Sequence, residues 1–369
     1  MLIFYFMQSF LQPTNGTIAS FYQLALRNNG WSYSMIGVVT ALGQVTTILG
    51  PLVIAALAEH RGREKAAIMA CLILSLCFHI PFFLTQDKLI AGVCYVVSCA
   101  FLWSLNPLSD GLISKHCIDR QSQYGRIRAC GTMGYVLAMF MFSFSGFPAD
   151  SSNLQMMLNN LGFSLVFLLF VVLAPGDSRY SRDDRKVVTD FGHAFHVFIL
   201  LIAIARVPMA VVDKMLSSYM VEELGVGKWF TAFVAIGALS EFFCMILGTR
   251  IMEKKSVEPI VLILISSTGL LLRLLLYCLT KNIVVFGMAQ LLHGVIFGLL
   301  HVASVKWISA HVAQEHYSFA LSIYHSVALN LPVMLGALAG GFIVDAYGFR
   351  TLFLVYMVFP VAEIIYGLA

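Results

Sequence analysis

The chain has 369 residues, of which 59% are hydrophobic and 11% charged, with a net charge of +4 and a mean hydropathy of +0.86. A water-soluble domain carries about 25% charged residues, and no soluble fold of this length could enclose so much apolar surface. The composition therefore excludes a soluble protein, and the small positive charge calls for no nucleic-acid partner, because basic residues flanking membrane spans produce it.

A membrane span needs about 20 apolar residues. Twelve such segments run near 2–26, 35–58, 66–86, 89–113, 124–146, 155–174, 194–221, 229–252, 257–280, 283–308, 318–342 and 350–368. The fold class expected is an all-α membrane protein of twelve transmembrane helices. In the first segment Met1 leads straight into apolar sequence, with no basic region and no small-residue cleavage site, so it reads as a retained span. Gln8, Gln12, Asn15 and Gln23 sit within it. Amides in lipid must face the bundle interior, where they bond another helix or a neutral polar solute. Asn15 joins the candidate solute contacts, beside Pro13 and Gly16, which interrupt the span as backbone does at a cavity.

The turn after segment two reads AALAEHRGREK and has a weak counterpart after segment eight, GTRIMEKKS. After segment eleven the pattern Gly341-x-x-x-Asp345-x-x-Gly348 recurs. Glycines let helices approach closely, and acids and bases latch one helix end to the next. Glu59, Arg61, Gly62, Arg63, Asp345 and Gly348 are therefore candidate latch residues, with ordinary charged turns as the plainer reading. Recurrence in both halves fits an internal repeat.

Segments four and five form a hairpin, LNPLSDGLISKHCIDRQSQYGRIRACGTMGY, with Asp110 and Arg128 equidistant from residue 119 in its polar turn. At a rise of ~1.5 Å per residue both charges lie roughly 13 Å from the turn, level with each other. Tyr135 follows Arg128 by seven residues and shares its face. The stretch Pro175 to Gly192 is the most polar in the chain, so the expected organisation is a six-helix half over 1–174, a charged linker over 175–193 and a second six-helix half over 194–369.

In the second half Asp213, Glu241, Arg273 and His293 fall in four successive segments. Each neighbouring pair is symmetric about the turn between them, at 227, 257 and 283, so each pair is predicted to be level. A charge near the bilayer centre costs at least ~2.5 kcal/mol, which makes an intramembrane ion a functional candidate with a partner. Gln290, His293, Phe297 and His301 share one helix face by their spacing, and histidine carries a proton near neutral pH. Arg206 and Asp213, seven apart, are a possible pair; His325 and Asn330 are as well explained by packing.

The eight cysteines show no zinc-ligand spacing. HExxH, GxSxG and phosphate-binding glycine loops are absent from the sequence, which argues against an enzyme; without a soluble signalling domain a membrane sensor is equally remote. Lysines and arginines orient the chain. Fifteen lie in links after even-numbered segments and five in links after odd-numbered ones, which places both termini in the cytoplasm.

The stretches NPLSDGLI with YGRIRACGTMGY, GALSEFFCMILGTRIMEK and QLLHGVIFGLLHVASVKWI resemble the major facilitator superfamily, in the branch around lactose permease, phenylpropionate permease and nucleoside–proton symporters. The resemblance implies two six-helix halves around a central cavity and alternating access. It implies that Asp110 and Arg128 bind substrate, that Tyr135 stands where a stacking tryptophan does, and that Glu241 links substrate to protonation. Arg273 and His293 match the arginine and histidine of helices nine and ten. Two positions depart: Ile296 stands where that permease has a protonated glutamate, and Pro332 lies near the place of its lysine. Glu241, Asp213 and Asp110 are left as alternative proton carriers. The function expected is proton-coupled symport of a sugar, nucleoside or aromatic acid by a monomer in the plasma (inner) membrane, with protons as coupling ion and no other cofactor; antiport, efflux and uniport are the alternatives.

Overall fold

The computed structural model describes residues 1–116, 121–145, 147, 151–176, 191–210, 214–254, 256–312 and 317–368; at 56, 59–61, 115, 121–125, 317–319 and 368 it describes the main chain alone. Among the described residues there is helix and no strand. The helices are α1 (Leu2–Asn28), α2 (Tyr33–Arg61), α3 (Glu64–Leu84), α4 (Lys88–His116), α5 (Gln121–Ser145) and α6 (Asn153–Leu173). They continue as α7 (His193–Arg206), α8 (Leu216–Ser218), α9 (Phe230–Lys254), α10 (Pro259–Leu279), α11 (Ile283–His293), α12 (Leu300–His311), α13 (Tyr317–Ile323), α14 (Leu331–Tyr356) and α15 (Val358–Leu368). Nine helical stretches among the described residues are long and apolar enough to cross a membrane.

Polarity is inverted relative to a soluble protein. Phe144 is 90% exposed, whereas Arg273 is 1% exposed. Only a lipid surround makes that distribution favourable, because it solvates phenylalanine and cannot solvate a guanidinium. The chain is an integral, multi-pass membrane protein.

Local chemistry sets the helix ends. Ser152 and Gln155 form a reciprocal capping box at the start of α6. Asn282 accepts from the backbone N–H groups of Val284 and Val285 at the start of α11. Lys65, in the first turn of α3, reaches the carbonyls of Val172 and Ala174 at 2.8 and 2.6 Å and so satisfies the end of α6.

The predicted spans need three corrections. α1 is long enough to cross but is not among the nine apolar stretches, because its amides lower its hydropathy. The seventh span is not one helix: α7 ends at Arg206 and a turn follows at Val207 and Pro208, where proline removes an N–H and crowds the preceding turn. The range Leu331–Tyr356 is two helices that meet at the non-helical Gly348 (φ 78°, ψ 171°), between predicted segments eleven and twelve, and the last span breaks again at Met357, three residues before Pro360, which cannot bond to Tyr356. Segments ten and eleven also contain π-helical stretches, Gly294–Leu299 joining α11 to α12 and Tyr324–Asn330 joining α13 to α14.

The chain divides into two compact units, Met1–Arg182 with Gly227–Thr231, and Asp183–Val226 with Ala232–Ala369. Inside the first, α1 packs on α5 and α6, α2 on α4, and α3 on α4 and α6. Inside the second, α10 packs on α11, α12, α14 and α15, and α7 on α14 and α15. Backbone meets backbone at glycines in matching places. A Cβ on Gly134 of α5 would lie 2.1 Å from the Ser9 carbonyl oxygen of α1, and one on Gly336 of α14 would lie 2.2 Å from the Val207 carbonyl oxygen beside α7. Likewise a Cβ on Gly50 of α2 would lie 2.7 Å from the Ala100 backbone, and one on Gly294 would lie 2.3 Å from the Ser240 carbonyl oxygen of α9. The fifth-to-first and second-to-fourth contacts of one unit are thus repeated in the other, which is what an internal repeat predicts. The turns repeat as well: Gly62 has φ +57° and its counterpart Ser256 has φ +50°.

Two substitutions test this packing by thermal unfolding of the purified protein. Gly134→Ala must push two helix backbones apart and is expected to destabilise by about 1–3 kcal/mol. Gly162→Ala, on an exposed face with open space at its Cβ, is expected to be neutral or to stabilise by about 0.5–1 kcal/mol.

Candidate functional site

In the first unit the hairpin arithmetic is met by the side chains. Arg128 Nη1 lies 3.3 Å from each carboxylate oxygen of Asp110. The two side chains are 46% and 26% exposed. The predicted level placement is met, and the ions stand at an open face, where they end a polar row. One turn from Asp110, Asn106 accepts from Gln12 Nε2 at 3.1 Å. Gly131, one turn from Arg128, makes room for Gln12, whose Cγ would be 2.9 Å from a Cβ there. Tyr135 lays its ring against Gly16, where a Cβ would be 2.2 Å from Cε2, and its hydroxyl lies 3.2 Å from Ser20 Oγ. The helix-interrupting Gly16 is therefore the seat of the Tyr135 ring.

Asn15 differs from these. It is 2% exposed, and neither amide atom has a hydrogen-bond partner among the described residues; the same holds for Gln8, one helical face along. A buried polar atom left unpaired costs about 1–3 kcal/mol, so these amides are places where a polar guest or ordered water would be bound favourably.

In the second unit Arg273 is the hub. Its Nε donates to the Tyr277 hydroxyl at 2.7 Å, its Nη2 to Gln290 Oε1 at 2.5 Å, and its Nη1 to His293 Nδ1 at 3.2 Å. Gln290 Nε2 closes the ring by donating to Tyr277 at 2.8 Å. On its other side His293 Nε2 lies 3.6 Å from Glu241 Oε2. Arginine only donates, so Nδ1 must accept, and His293 is the tautomer that carries its proton on Nε2, toward Glu241. The predicted level pairing of 273 with 293 appears directly. That of 241 with 273 does not; the two are joined through the imidazole, whose two nitrogens face opposite helices.

Beyond His293 the rings of Phe297 and His301 continue nearly parallel, with interplanar angles of 6° and 4°. The π-helical stretch 294–299 carries this row, and such bulges gather at functional sites. His301 Nδ1 lies 3.4 Å from the Tyr324 hydroxyl, and its ring centroid is 5.8 Å from that of His325. Arg206 places its guanidinium carbon 5.1 Å from the Phe297 centroid. Ile296 is buried, and its carbonyl accepts from Ser266. Asp213 lies outside the described residues.

Of the latch residues, the side chains of Glu59 and Arg61 lie outside the described part. Gly62 and Gly348 adopt φ of +57° and +78°, conformations that glycine takes without steric cost. Arg63 precedes α3 and is exposed, and Asp345 is exposed on α14. Lys65 supplies a latch-like bond that the sequence reading did not single out. Tyr277 was also missed, although its place four residues after a buried arginine was the available signal.

A family model described as the MFS_1 like family matches residues 1–355. Among curated proteins the chain is 20% identical over 342 residues to the uncharacterized transporter YwbF of Bacillus subtilis (strain 168), covering 90% of this chain and 83% of that one. It is 21% identical over 348 residues to the maltose permease of Geobacillus stearothermophilus, covering 90% and 84%. Among solved structures it is similar to the nucleoside transporter NupG, with a TM-score of 0.83 and 14% identity over 100% of this chain and 98% of that one.

The hub has a measurable weight. Arg273→Lys keeps one charge but cannot donate in three fixed directions, and it leaves buried acceptors on Gln290, Tyr277 and His293. Thermal unfolding is expected to show a loss of about 1–3 kcal/mol. Lys281→Ala, which breaks an exposed pair with Glu223, is expected to change stability by less than about 0.5 kcal/mol.

Proposed function

Because the chain belongs to the MFS_1 like family, we propose that this transporter takes up a small organic solute together with protons by alternating access. The solute is a hydroxyl-rich sugar or nucleoside, or an aromatic acid. The names of two similar proteins, a maltose permease and a nucleoside transporter, favour the hydroxyl-rich classes. The protein works as a monomer in the plasma (inner) membrane with both termini in the cytoplasm, the orientation favoured by its lysines and arginines.

The observation that carries this reading is His293 held between Arg273 and Glu241. With Nδ1 occupied by a donor that never gives up its charge, the imidazole offers its Nε2 proton to Glu241. A solute hydroxyl that engages Glu241 changes what this carboxyl can accept, and a partner change of that kind alters the balance between its charged and neutral forms. In the first unit the exposed Asp110–Arg128 pair offers an acceptor and a fork of donors side by side. A sugar diol can bridge the two, and a carboxylate can take the guanidinium. Tyr135, fixed by Gly16 and Ser20, presents a ring to such a solute.

Uptake into proteoliposomes with an imposed, outside-acid pH gradient tests the proposal, using radiolabelled maltose, uridine and phenylpropionate. At least one is expected to accumulate. Asp110→Asn and Arg128→Lys should each weaken its binding about tenfold or more, the loss of about one charge-assisted hydrogen bond. Glu241→Gln should retain solute exchange at equal pH while losing accumulation. Accumulation indifferent to the gradient would overturn the symport reading, and unchanged binding in both first-unit variants would overturn the site.

A further inference from the structure

The sequence VFPVAEIIYGL of α15 holds one acid, Glu363, among apolar residues. Pro360 and Glu363 are buried, whereas Val358, Val361, Ile365 and Tyr366 are exposed. The spacing puts Glu363 on the stripe turned toward α10 and α7, away from lipid. It is 0% exposed. Oε2 is in a short hydrogen bond with Ser267 Oγ of α10, and Oε1 has no hydrogen-bond partner among the described residues. Two groups on the helices packed against α15 have hydrogen-bond partners of their own. Arg273 of α10 is bound to His293, Gln290 and Tyr277, and Tyr356 of α14 donates to the Gly336 carbonyl. Arg206 and His196 of α7, and Asp345 and Arg350 of α14, make no hydrogen bond or ion pair with Glu363.

The proton count at Ser267 then becomes informative. Its hydroxyl has one proton and two acceptor neighbours, the Ile263 carbonyl at 3.0 Å and Glu363 Oε2. Ile263 is four residues back on the same helix, the ordinary acceptor for a serine inside a span. With the serine proton given to Ile263, the short contact to Glu363 needs a second proton, and among the described residues the carboxyl is the group placed to hold it. A carboxylate at this place would have a single hydroxyl donor and no countercharge, a combination a dry interior strongly disfavours.

We propose that Glu363 is a proton-carrying group of this transporter, present as the neutral acid that donates to Ser267. On release, the O–H bond of Glu363 breaks and its proton passes to water. The Ser267 hydroxyl turns from Ile263 to donate to the carboxylate left behind. The inference rests on the symport reading for its role in transport, and supplies a buried acid that the isoleucine at position 296 does not. α10 is the common element. It carries Ser267, Arg273 at a distance of about 9 Å along the axis, and Ser266, whose hydroxyl donates to the Ile296 carbonyl at 2.5 Å. A shift of α10 with solute binding is thus felt at both the His293 hub and the Glu363 carboxyl.

Infrared spectroscopy of the reconstituted protein, which needs only buffer and no solute, reads the proton directly. The wild-type minus Glu363→Gln difference is expected to contain a protonated-carboxyl C=O band at neutral pH. The band should shift in D2O, fade reversibly as pH is raised, and move when Ser267→Ala removes the hydroxyl. In the proteoliposome assay Glu363→Gln should exchange the solute that the wild type accumulates at near wild-type rate but accumulate it at least tenfold less. A difference spectrum without the band, a band indifferent to pH, or full accumulation by Glu363→Gln would each overturn the proposal. Should Glu363→Gln fail to fold, Glu363→Asp and Ser267→Ala provide the same readouts, since either must move a band that belongs to this pair. If the wild type accumulates no solute, the symport reading fails by itself, while the infrared band still decides whether Glu363 holds the proton.

Discussion

A buried cation in a lipid-surrounded bundle needs acceptors that converge on it, and Arg273 is where that constraint is met most fully. A guanidinium at 1% exposure can exist in a lipid-surrounded bundle only if several acceptors converge on it. Tyr277 from its own helix and Gln290 and His293 from the next supply them. The consequence passes outward: by fixing His293 Nδ1 as an acceptor, the arginine fixes where the histidine proton sits and therefore what Glu241 meets. The hub is at once a packing solution and a chemical instruction.

The rest of the second unit accommodates that hub. Gly294, next to His293, allows the Ser240 backbone of α9 within a distance no side chain would permit, and Ser240 Oγ accepts from the Gly294 N–H at 3.0 Å. This close approach brings α9, and with it Glu241, within reach of the imidazole. In the matching approach of the first unit, the atoms nearest a Cβ on Gly50 all belong to Ala100. The repeat therefore preserves a way of packing, while the chemistry is placed on it separately in each half. In the first unit that chemistry belongs to the fifth-to-first contact, where Gly131 and Gly134 flank the path from Arg128 to Tyr135.

Much of this was legible because a hairpin is symmetric about its turn. Counting residues placed Asp110 beside Arg128 and Arg273 beside His293, since helical rise alone sets depth. Counting failed for Glu241 and Arg273, because depth does not give azimuth: the two are level but turn toward the same intervening ring from different helices. Exposure was equally invisible. Nothing in NPLSDGLI tells that Asp110 is partly open, whereas Asn15 is enclosed, for that depends on which neighbour packs where. Pro208 and Pro360 were visible as residues, but the apolar content around them masked the breaks that they cause. Glu363 escaped for a different reason. Hairpin symmetry reveals charge pairs, and among the described residues this acid has only a serine.

That difference between paired and unpaired acids bears on how protons and solute can be linked. A carboxyl whose proton state is set by a nearby cation responds to motions of that cation. One set by dryness responds to the arrival of water. Glu241 lies beside His293, with Arg273 in line behind it. Glu363, as proposed, is of the second kind, since among the described residues Ser267 alone hydrogen-bonds it. An alternating-access cycle supplies both stimuli, a solute that rearranges polar contacts and a change in which helix faces meet water. Under the proposed coupling, two acids that sense different stimuli and are joined through one helix would bind a proton most tightly in different steps of the cycle, which is the condition for its release on the side opposite to its entry.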